Sequence, residues 1–444
     1  MQTVLTNAKL ILENEVVTGT IAFDATGITA VDQGKSSLPG AIDVGGDYVA
    51  PGLVEMHTDN MEKHFMPRPK VFWPNGLAAA LVHDAQMAAS GVTTVYDAIC
   101  AGTPFSAKDY RKDIFADVMD ALRLGTAEGV FRIDHRIHMR CELTSPDLLR
   151  DIEPYQDDGL VQLVSLMDHT PGQRQWRNIE HLRTYSLGTG KTEAEFEEDV
   201  VVRQREGAEN VGRNWSAVVE MFRSRGIPIA THDDTTVEHV EAGIASGAVI
   251  SEFPTTVEAA EAAKQRGLAT IAGAPNVVRG GSHSGGVSVS ELAEKGLLDG
   301  LSSDYVPASL LQAVLKLHAA HGVALPEAMG MVTWKVADIL GLRDRGHLKP
   351  GLRADLLRFR TLGATPVLPR ARDRRGVGRP LTGERGHVDA VHAPAFCSSA
   401  STSSSVGIAV EHSKRDATSA PAALAKRSTR SRLQPLSSPW HTAP

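Results

Sequence analysis

Cysteine is scarce in this chain of 444 residues: only Cys100, Cys141 and Cys397 occur, and they lie far apart. Three scattered cysteines are too few for a disulfide framework or a zinc knuckle. A reducing compartment is therefore the simplest interpretation. Hydrophobic residues make up 42% of the chain and charged residues 22%, as is usual for a soluble globular protein.

Long apolar runs are also missing. No uninterrupted apolar stretch approaches the ~20 residues that span a bilayer, and the N-terminal MQTVLTNAKLILENEVV lacks the basic and apolar regions of a signal peptide. The net charge of -7 argues against a general nucleic-acid binder, so local cations must hold any anionic ligand. We expect a cytoplasmic protein without membrane or nucleic-acid partners.

The pattern of apolar residues predicts two kinds of structure. Residues 1–50 alternate with period two between Gly and Asn turns, which predicts a small β-domain. From residue 51 to 340, β runs alternate with helical stretches, which predicts a (β/α)8 barrel. A doubly wound sheet is the alternative, but its usual Gly-rich first turn is absent from PGLVEMH. The eight β runs are GLVEMH and residues 92–99, 132–143, 160–169, 227–234, 248–254, 268–275 and 298–304.

The C-terminal part changes character twice. Residues 341–360 include GHLKPGLRADLLRF, which indicates a return to the small β-domain. Residues 361–444 are rich in Ser, Arg and Pro, with 12 Lys and Arg against 5 Asp and Glu and no apolar periodicity. Such a segment cannot bury enough surface to offset its ordering entropy, so we predict a disordered basic tail. A frameshifted or misassembled tail and an RNA-binding tail are the alternatives.

Polar side chains stand at the C-terminal ends of six predicted strands, where barrels of this kind carry their catalytic groups. Histidines and carboxylates in this number would suffice for two divalent ions that share a bridging carboxylate. Each also has a structural alternative, such as a helix cap or an ion pair. We interpret His83 and Asp84, which lie in a helical stretch, as structural residues. We interpret His135 and His138 as packing or surface residues. The strand-end residues are His57, Asp59, Arg140, Glu142, Asp168, His169, His232, Asp233, Asp234, Glu252 and Asp304.

Cations close to these strand ends suggest a polyphosphate pocket. Arg68 and Lys70 follow the first His-Thr-Asp motif, and DHTPGQRQWRN contributes Arg174. The run NVVRGGSHSGG (276–286) follows the seventh strand, and loops there are common phosphate sites in barrels. A flexible surface loop is the alternative for the glycine-rich run. Beside several cations and candidate metal ligands, we favour a polyphosphate pocket.

The ordered motifs resemble the amidohydrolase superfamily and, more closely, the PhnM-type diphosphatases of the carbon–phosphorus lyase pathway. The resemblance implies a distorted (β/α)8 TIM-like barrel with a small β-domain formed from both ends of the chain. It also implies hydrolysis of alpha-D-ribose 1-methylphosphonate 5-triphosphate to the 5-phosphate and diphosphate. The motifs are PGLVEMHTDNMEKHFMPRPKVFWP, HDAQMAASGVTTVYDA, HRIHMRCEL, SLMDHTPGQRQ, THDDTT, SEFPTT, GAPNVVRGGSHSG and LSSDYVP.

The resemblance also implies roles for individual residues. A site for two divalent ions (zinc, manganese or magnesium) would use His57, Asp59, Glu142, His169, His232 and Asp304. Glu142 would bridge the ions, Asp304 would accept a proton, and Glu252 could replace one ligand. Substrate binding would fall to Arg68, Lys70, Arg174, Arg279, His283 and Ser284.

Two other functions stay open at this point. One is a C–N hydrolase of the same superfamily acting on a cyclic amide, which would need fewer cations around its pocket. The other is a non-catalytic metal-binding component of a phosphonate-processing assembly. The expected partner is a small ribose phosphonate triphosphate, and a homo-oligomer is left open.

Overall fold

The computed structural model describes most of the chain in five segments. Three predicted substrate-binding residues, Lys70, His283 and Ser284, lie outside the described residues, as does nearly all of the predicted tail. For 111–113 and 390–391 only the backbone is described. The described residues are 2–68, 71–102, 111–281, 285–369 and 390–391.

From the sixth to the thirteenth described strand, strands alternate with helices. The strands are β1 (Thr3–Ile11), β2 (Val16–Asp24), β3 (Gly27–Gln33), β4 (Ile42–Asp43), β5 (Tyr48–Pro51), β6 (Leu53–Thr58), β7 (Val92–Ala101), β8 (Asp134–Glu142), β9 (Val161–Met167), β10 (Ile229–His232), β11 (Ile250–Glu252), β12 (Ala269–Gly273), β13 (Gly300–Ser302), β14 (Leu356–Leu362), β15 (Thr365–Val367) and β16 (Ala390–Val391). The helices are α1 (Glu62–Phe65), α2 (Gly76–Ala89), α3 (Arg111–Ala127), α4 (Leu148–Ile152), α5 (Ile179–Gly188), α6 (Glu193–Arg223), α7 (Val237–Ala245), α8 (Val257–Gln265), α9 (Ala274–Arg279), α10 (Val289–Glu294), α11 (Ser309–His321), α12 (Leu325–Gly330) and α13 (Trp334–Ile339).

A mixed sheet joins the two ends of the chain. Its strand order is β15-β14-β5-β1-β2-β3, with β4 beside β1 and β16 beside β14. Antiparallel pairing sets Phe359 opposite Tyr48, and the two rings stack with centroids 5.1 Å apart. Leu10, Ile21 and Leu356 belong to its buried core. The prediction of a small β-domain from both chain ends is confirmed, while the boundaries at 50/51, 340/341 and 360/361 stay predictions.

Eight parallel strands, β6 to β13, form a nearly closed barrel. They are hydrogen-bonded in sequence order without the reversal of a doubly wound sheet. A parallel bridge between Thr58 and Asp304 brings the last strand back to the first. Val54, Met56 and Tyr96 help to fill the interior. The predicted barrel is confirmed, and the doubly wound alternative is wrong.

One predicted loop begins as a helix. Residues 276–279 of the glycine-rich run lie in α9, which has a proline at its start and ends where Gly280 adopts φ 89°. Proline suits the first turn of a helix, and glycine suits the left-handed residue that stops one. Pro275 and Gly280 therefore mark the start and the end of α9. The glycine-rich composition of the run predicted a loop instead.

The longest described helix, α6, anchors the loop after β8. Thr192 starts it with a capping box shared with Glu195. Asn214 donates from Nδ2 to the carbonyls of Leu143 and Ser145 at 2.9 and 2.8 Å. These bonds hold the loop after β8, beside Glu142. Among the described residues no helix, α6 included, is long and apolar enough to cross a membrane.

Candidate metal centre

A cavity of about 320 Å³ opens at the C-terminal ends of the barrel strands. Five of the six predicted ligands line this cavity, as expected from their places at the ends of the barrel strands. The sixth, Glu142, is fully buried and does not belong to the lining. The predicted ligands that line the cavity are His57, Asp59, His169, His232 and Asp304.

Asp304 closes the barrel with its backbone. Its N–H donates to the carbonyl of His57 at 3.1 Å, and its own carbonyl accepts from the N–H of Asp59 at 3.1 Å. Burial, followed by the nearby Asp59 carboxylate, raises the pKa of Asp304 to about 7. A carboxyl group with such a pKa exchanges protons near neutral pH, which suits an acid–base role.

The backbone is strained at several strand ends. The φ angle is 55° at Asp233, 53° at Phe253 and 52° at Asp304, and all three residues line the cavity. A left-handed conformation costs a non-glycine residue about 1–3 kcal/mol and tends to be kept where function requires it. Each residue follows a barrel strand closely, so the abrupt turn there shapes the cavity wall.

Glu142 orients His169. The Glu142 carboxylate accepts from His169 Nδ1–H at 2.5 Å and from the Thr144 hydroxyl at 2.6 Å. Burial raises the pKa of Glu142, but His169 and Thr144 lower it by more. A carboxylate on Nδ1 of a histidine commonly fixes the ring so that Nε2 faces a metal. The bridging role that the resemblance implies for Glu142 stays a prediction.

Three ligand atoms meet around His232. Its Nδ1 lies 2.6 Å from Asp233 Oδ2, and His169 Nε2 lies 3.9 Å from the same oxygen. Each of these residues offers one atom, and the three atoms lie within 4.8 Å of one another. Two imidazoles and a carboxylate at such spacing can hold one divalent ion.

His57 belongs to a second group, of which the sequence analysis missed His138 as a candidate ligand. Its Nδ1 lies 3.1 Å from Glu252 Oε1, and His138 Nε2 lies 3.6 Å from Glu252 Oε2. All three side chains are buried, so His138 is no surface group. A signal was present: in the β8 sequence RIHMRCE, alternation places His138 on the same face as Glu142.

A third group lies outside the cavity lining. Asp97 Oδ1 lies in hydrogen-bond distance of His83 Nε2, at 2.8 Å, and Asp97 Oδ2 lies 2.7 Å from His135 Nδ1. Each carboxylate oxygen therefore has a histidine partner. Asp84 receives the backbone N–H groups of Arg132 and Ile133. These contacts agree with the structural roles favoured for His83 and Asp84.

Among the described residues, the predicted cations do not line the cavity. Arg174 is buried, and its guanidinium donates to the His232 carbonyl at 2.9 Å and to Asp234 Oδ1 at 2.7 Å. Arg68 and Arg279 are exposed and do not belong to the cavity lining. Arg140 is the only Arg or Lys among the described lining residues. Substrate binding by Arg68, Arg174 and Arg279 stays a prediction.

Several buried polar atoms at the site suit a divalent metal. Buried polar atoms are nearly always paired in folded proteins. Four imidazole or carboxylate atoms at the site are buried without a hydrogen-bond partner among the described residues. Atoms of these two kinds are common ligands of divalent ions. The residues present therefore fit a divalent metal centre. The atoms are Asp59 Oδ1, His138 Nε2, His232 Nε2 and Glu252 Oε2.

One characterised relative identifies the family. The chain is 44% identical to the alpha-D-ribose 1-methylphosphonate 5-triphosphate diphosphatase of Escherichia coli strain K12 over 357 residues, which are 80% of this chain and 94% of the relative. This chain belongs to the alpha-D-ribose 1-methylphosphonate 5-triphosphate diphosphatase family. A scan against protein-family models gives no match.

Solved structures place this member of the diphosphatase family in the amidohydrolase fold. An amidohydrolase is 15% identical with a TM-score of 0.54, and the match covers 81% of this chain and 92% of that one. An N-acetyl-D-glucosamine-6-phosphate deacetylase from Mycobacterium smegmatis is 18% identical with a TM-score of 0.54, and the match covers 80% and 95%. At such low identity these structures show the fold alone.

Proposed function

We propose that this chain hydrolyses alpha-D-ribose 1-methylphosphonate 5-triphosphate to alpha-D-ribose 1-methylphosphonate 5-phosphate and diphosphate in phosphonate catabolism. The observation that carries the proposal is the 44% identity to a relative named for this diphosphatase activity. The buried histidines and carboxylates around a cavity at the barrel mouth support it, because metal-assisted hydrolysis needs such a set. A cytoplasmic location and a homo-oligomer stay predictions.

We assign the metal centre to the predicted set of His57, Asp59, Glu142, His169, His232 and Asp304. When bound, two ions of zinc, manganese or magnesium would supply Lewis acidity and acidify water. His232 Nε2 and Asp59 Oδ1 are buried and have no hydrogen-bond partner among the described residues, so both atoms can bind an ion. Burial lowers the pKa of His57, which keeps its ring neutral and able to bind an ion. Both the presence of two ions and their identity as zinc, manganese or magnesium are part of what we propose.

The remaining groups serve the transfer of the phosphoryl group. A water oxygen bonds to the α-phosphorus, the bond from that phosphorus to the oxygen bridging to the β-phosphorus breaks, and diphosphate leaves. Asp304 accepts the proton of the attacking water, which its pKa of about 7 allows. Arg140, on the cavity wall, balances negative charge on the phosphoryl oxygens.

The cyclic-amide alternative is less favoured, although not because of the predicted cations. Arg68, Arg174 and Arg279 do not line the cavity in the described structure, so they do not discriminate between the two reactions. The 44% identity to the diphosphatase does discriminate between them. The solved amidohydrolase structures do not, because at their low identity they show the fold alone. The diphosphatase proposal therefore depends on the relative.

Phosphorus NMR of the metal-loaded chain with the ribose methylphosphonate triphosphate tests the proposal. Resonances of diphosphate and of a 5-monophosphate are the expected result and show that the bridge between the α- and β-phosphorus atoms is cleaved. Release of orthophosphate would move the cleavage to the bridge between the β- and γ-phosphorus atoms and contradict the proposed binding mode. Folded, metal-bound protein that leaves the triphosphate intact would contradict the proposed function.

A further inference from the structure

His138 and Glu252 face each other inside the barrel, and neither has a role in the ligand set assigned above. His138 lies on β8 and Glu252 ends β11, so the two residues come from opposite parts of the barrel sheet. Both side chains are fully buried. A buried histidine and a buried carboxylate in such a place need a physical explanation.

The hydrogen bond of His138 fixes its tautomer. Nδ1 lies 3.0 Å from the carbonyl oxygen of Met56, and a carbonyl oxygen only accepts, so Nδ1 carries the proton. In the neutral ring, Nε2 then offers a lone pair. That atom has no hydrogen-bond partner among the described residues. His138 therefore directs a free metal-ligand atom into the barrel interior.

The free nitrogen meets a second acceptor. Glu252 Oε2 lies 3.6 Å from His138 Nε2 and also has no hydrogen-bond partner among the described residues. A separation of 3.6 Å is too long for a hydrogen bond, so a shared proton does not explain the pair. Two facing acceptors in a low-dielectric interior repel each other unless a cation lies between them.

His57 completes the arrangement. Its Nδ1 lies 3.1 Å from Glu252 Oε1, and its ring stands at 90° to that of His138 with centroids 4.8 Å apart. One ligand atom from each of the three residues lies within 4.8 Å of the others. We propose that His57, His138 and Glu252 together form a divalent-metal site in the barrel interior, in which His138 and Glu252 are ligands.

Because this site rests on the metal dependence proposed above, its test is a binding measurement without substrate. The full chain is freed of metal and equilibrated with buffered Zn²⁺, and the zinc bound per chain is measured by mass spectrometry of the metal. The chain is also loaded with Co²⁺, whose visible absorption reports the nitrogen and oxygen ligands. A failure of the diphosphatase reaction would leave both readouts unaffected.

Two variants remove one ligand each. His138→Asn keeps an N–H group that can reach the Met56 carbonyl but lacks Nε2, and Glu252→Gln keeps the volume of the side chain but lacks its charge. His318→Asn is the matched control, since His318 Nδ1 also lies 2.9 Å from a backbone carbonyl, that of Val323, in an exposed position. Circular dichroism without metal verifies that each variant is folded.

The expected result is that both barrel variants bind one Zn²⁺ fewer per chain, or bind it at least tenfold more weakly, and lose part of the Co²⁺ absorption. His318→Asn is expected to behave as the wild type. Wild-type zinc binding in either folded barrel variant would overturn the site, since both residues must be ligands. If one variant does not fold, the other decides the question alone.

Discussion

At the scale of single residues, Asp304 combines two tasks. Its backbone joins the last barrel strand to the first through the His57 carbonyl and the Asp59 N–H, while its carboxyl group lines the cavity. Because asparagine keeps the shape and the backbone, a substitution can remove the chemistry without opening the barrel. The two tasks can thus be separated by experiment.

We expect Asp304→Asn to lower kcat at least 100-fold, since general-base catalysis contributes about 10²–10⁴-fold. Metal content should fall little and the thermal midpoint should stay within a few degrees. Turnover of the ribose phosphonate triphosphate, followed by phosphorus NMR, is the measurement. Turnover equal to that of the wild type would contradict the assignment of the base.

Single residues also show the limit of sequence reasoning. Alternation along β8 places Glu142 on one face, but it does not reveal that one of its oxygens accepts from His169 and the other from Thr144. The charge of Arg174 suggests a phosphate ligand, but it does not reveal that the buried guanidinium contacts the loop after β10. Charge is a property of the sequence, whereas the direction of a side chain depends on the folded loop.

At the scale of elements, α6 determines the position of the loop after β8. Asn214 is fully buried, and its amide satisfies the carbonyls of Leu143 and Ser145. Arg203 on the same helix donates to the carbonyl of His169 at 2.6 Å. The helix thereby holds the backbone on both sides of the Glu142–His169 pair.

We expect Asn214→Ala to destabilise the fold by about 1–3 kcal/mol, because two buried carbonyls lose their donor. Turnover should fall as well, since the loop that follows Glu142 is released. Ser216→Ala, an exposed change on the same helix, is the control. Equal thermal midpoints for the two variants would contradict the anchoring role.

At the scale of the whole molecule, a buried ion cluster ties the stability of the fold to pH. Burial lowers the pKa of His135, but Asp97 and Asp84 raise it by more, to about 9. His83 and His135 in turn hold the pKa of Asp97 at about 2, although burial opposes them. A histidine whose pKa is raised in the fold stabilises it fully below its unfolded value of about 6.5.

The stabilisation by His135 should therefore be lost as the pH rises from about 6.5 through 9. We expect the thermal midpoint of the wild type to fall over this range by several degrees more than that of His135→Asn. Scanning calorimetry at pH 6 and pH 9 measures both. Equal decreases in the two proteins would show that other groups cause the pH dependence.

The sequence by itself determined the architecture and placed the candidate ligands at the strand ends. Apolar periodicity is local, so the β/α alternation and the polar strand ends predicted the barrel and the gathering of residues such as His57 and Asp304. Only the tertiary structure decided which side chains meet. His57 and Glu252 are 195 residues apart, and their contact depends on strand order, register and closure, which no local pattern contains. Ring closure of the barrel is what brings the separate strand ends to one cavity.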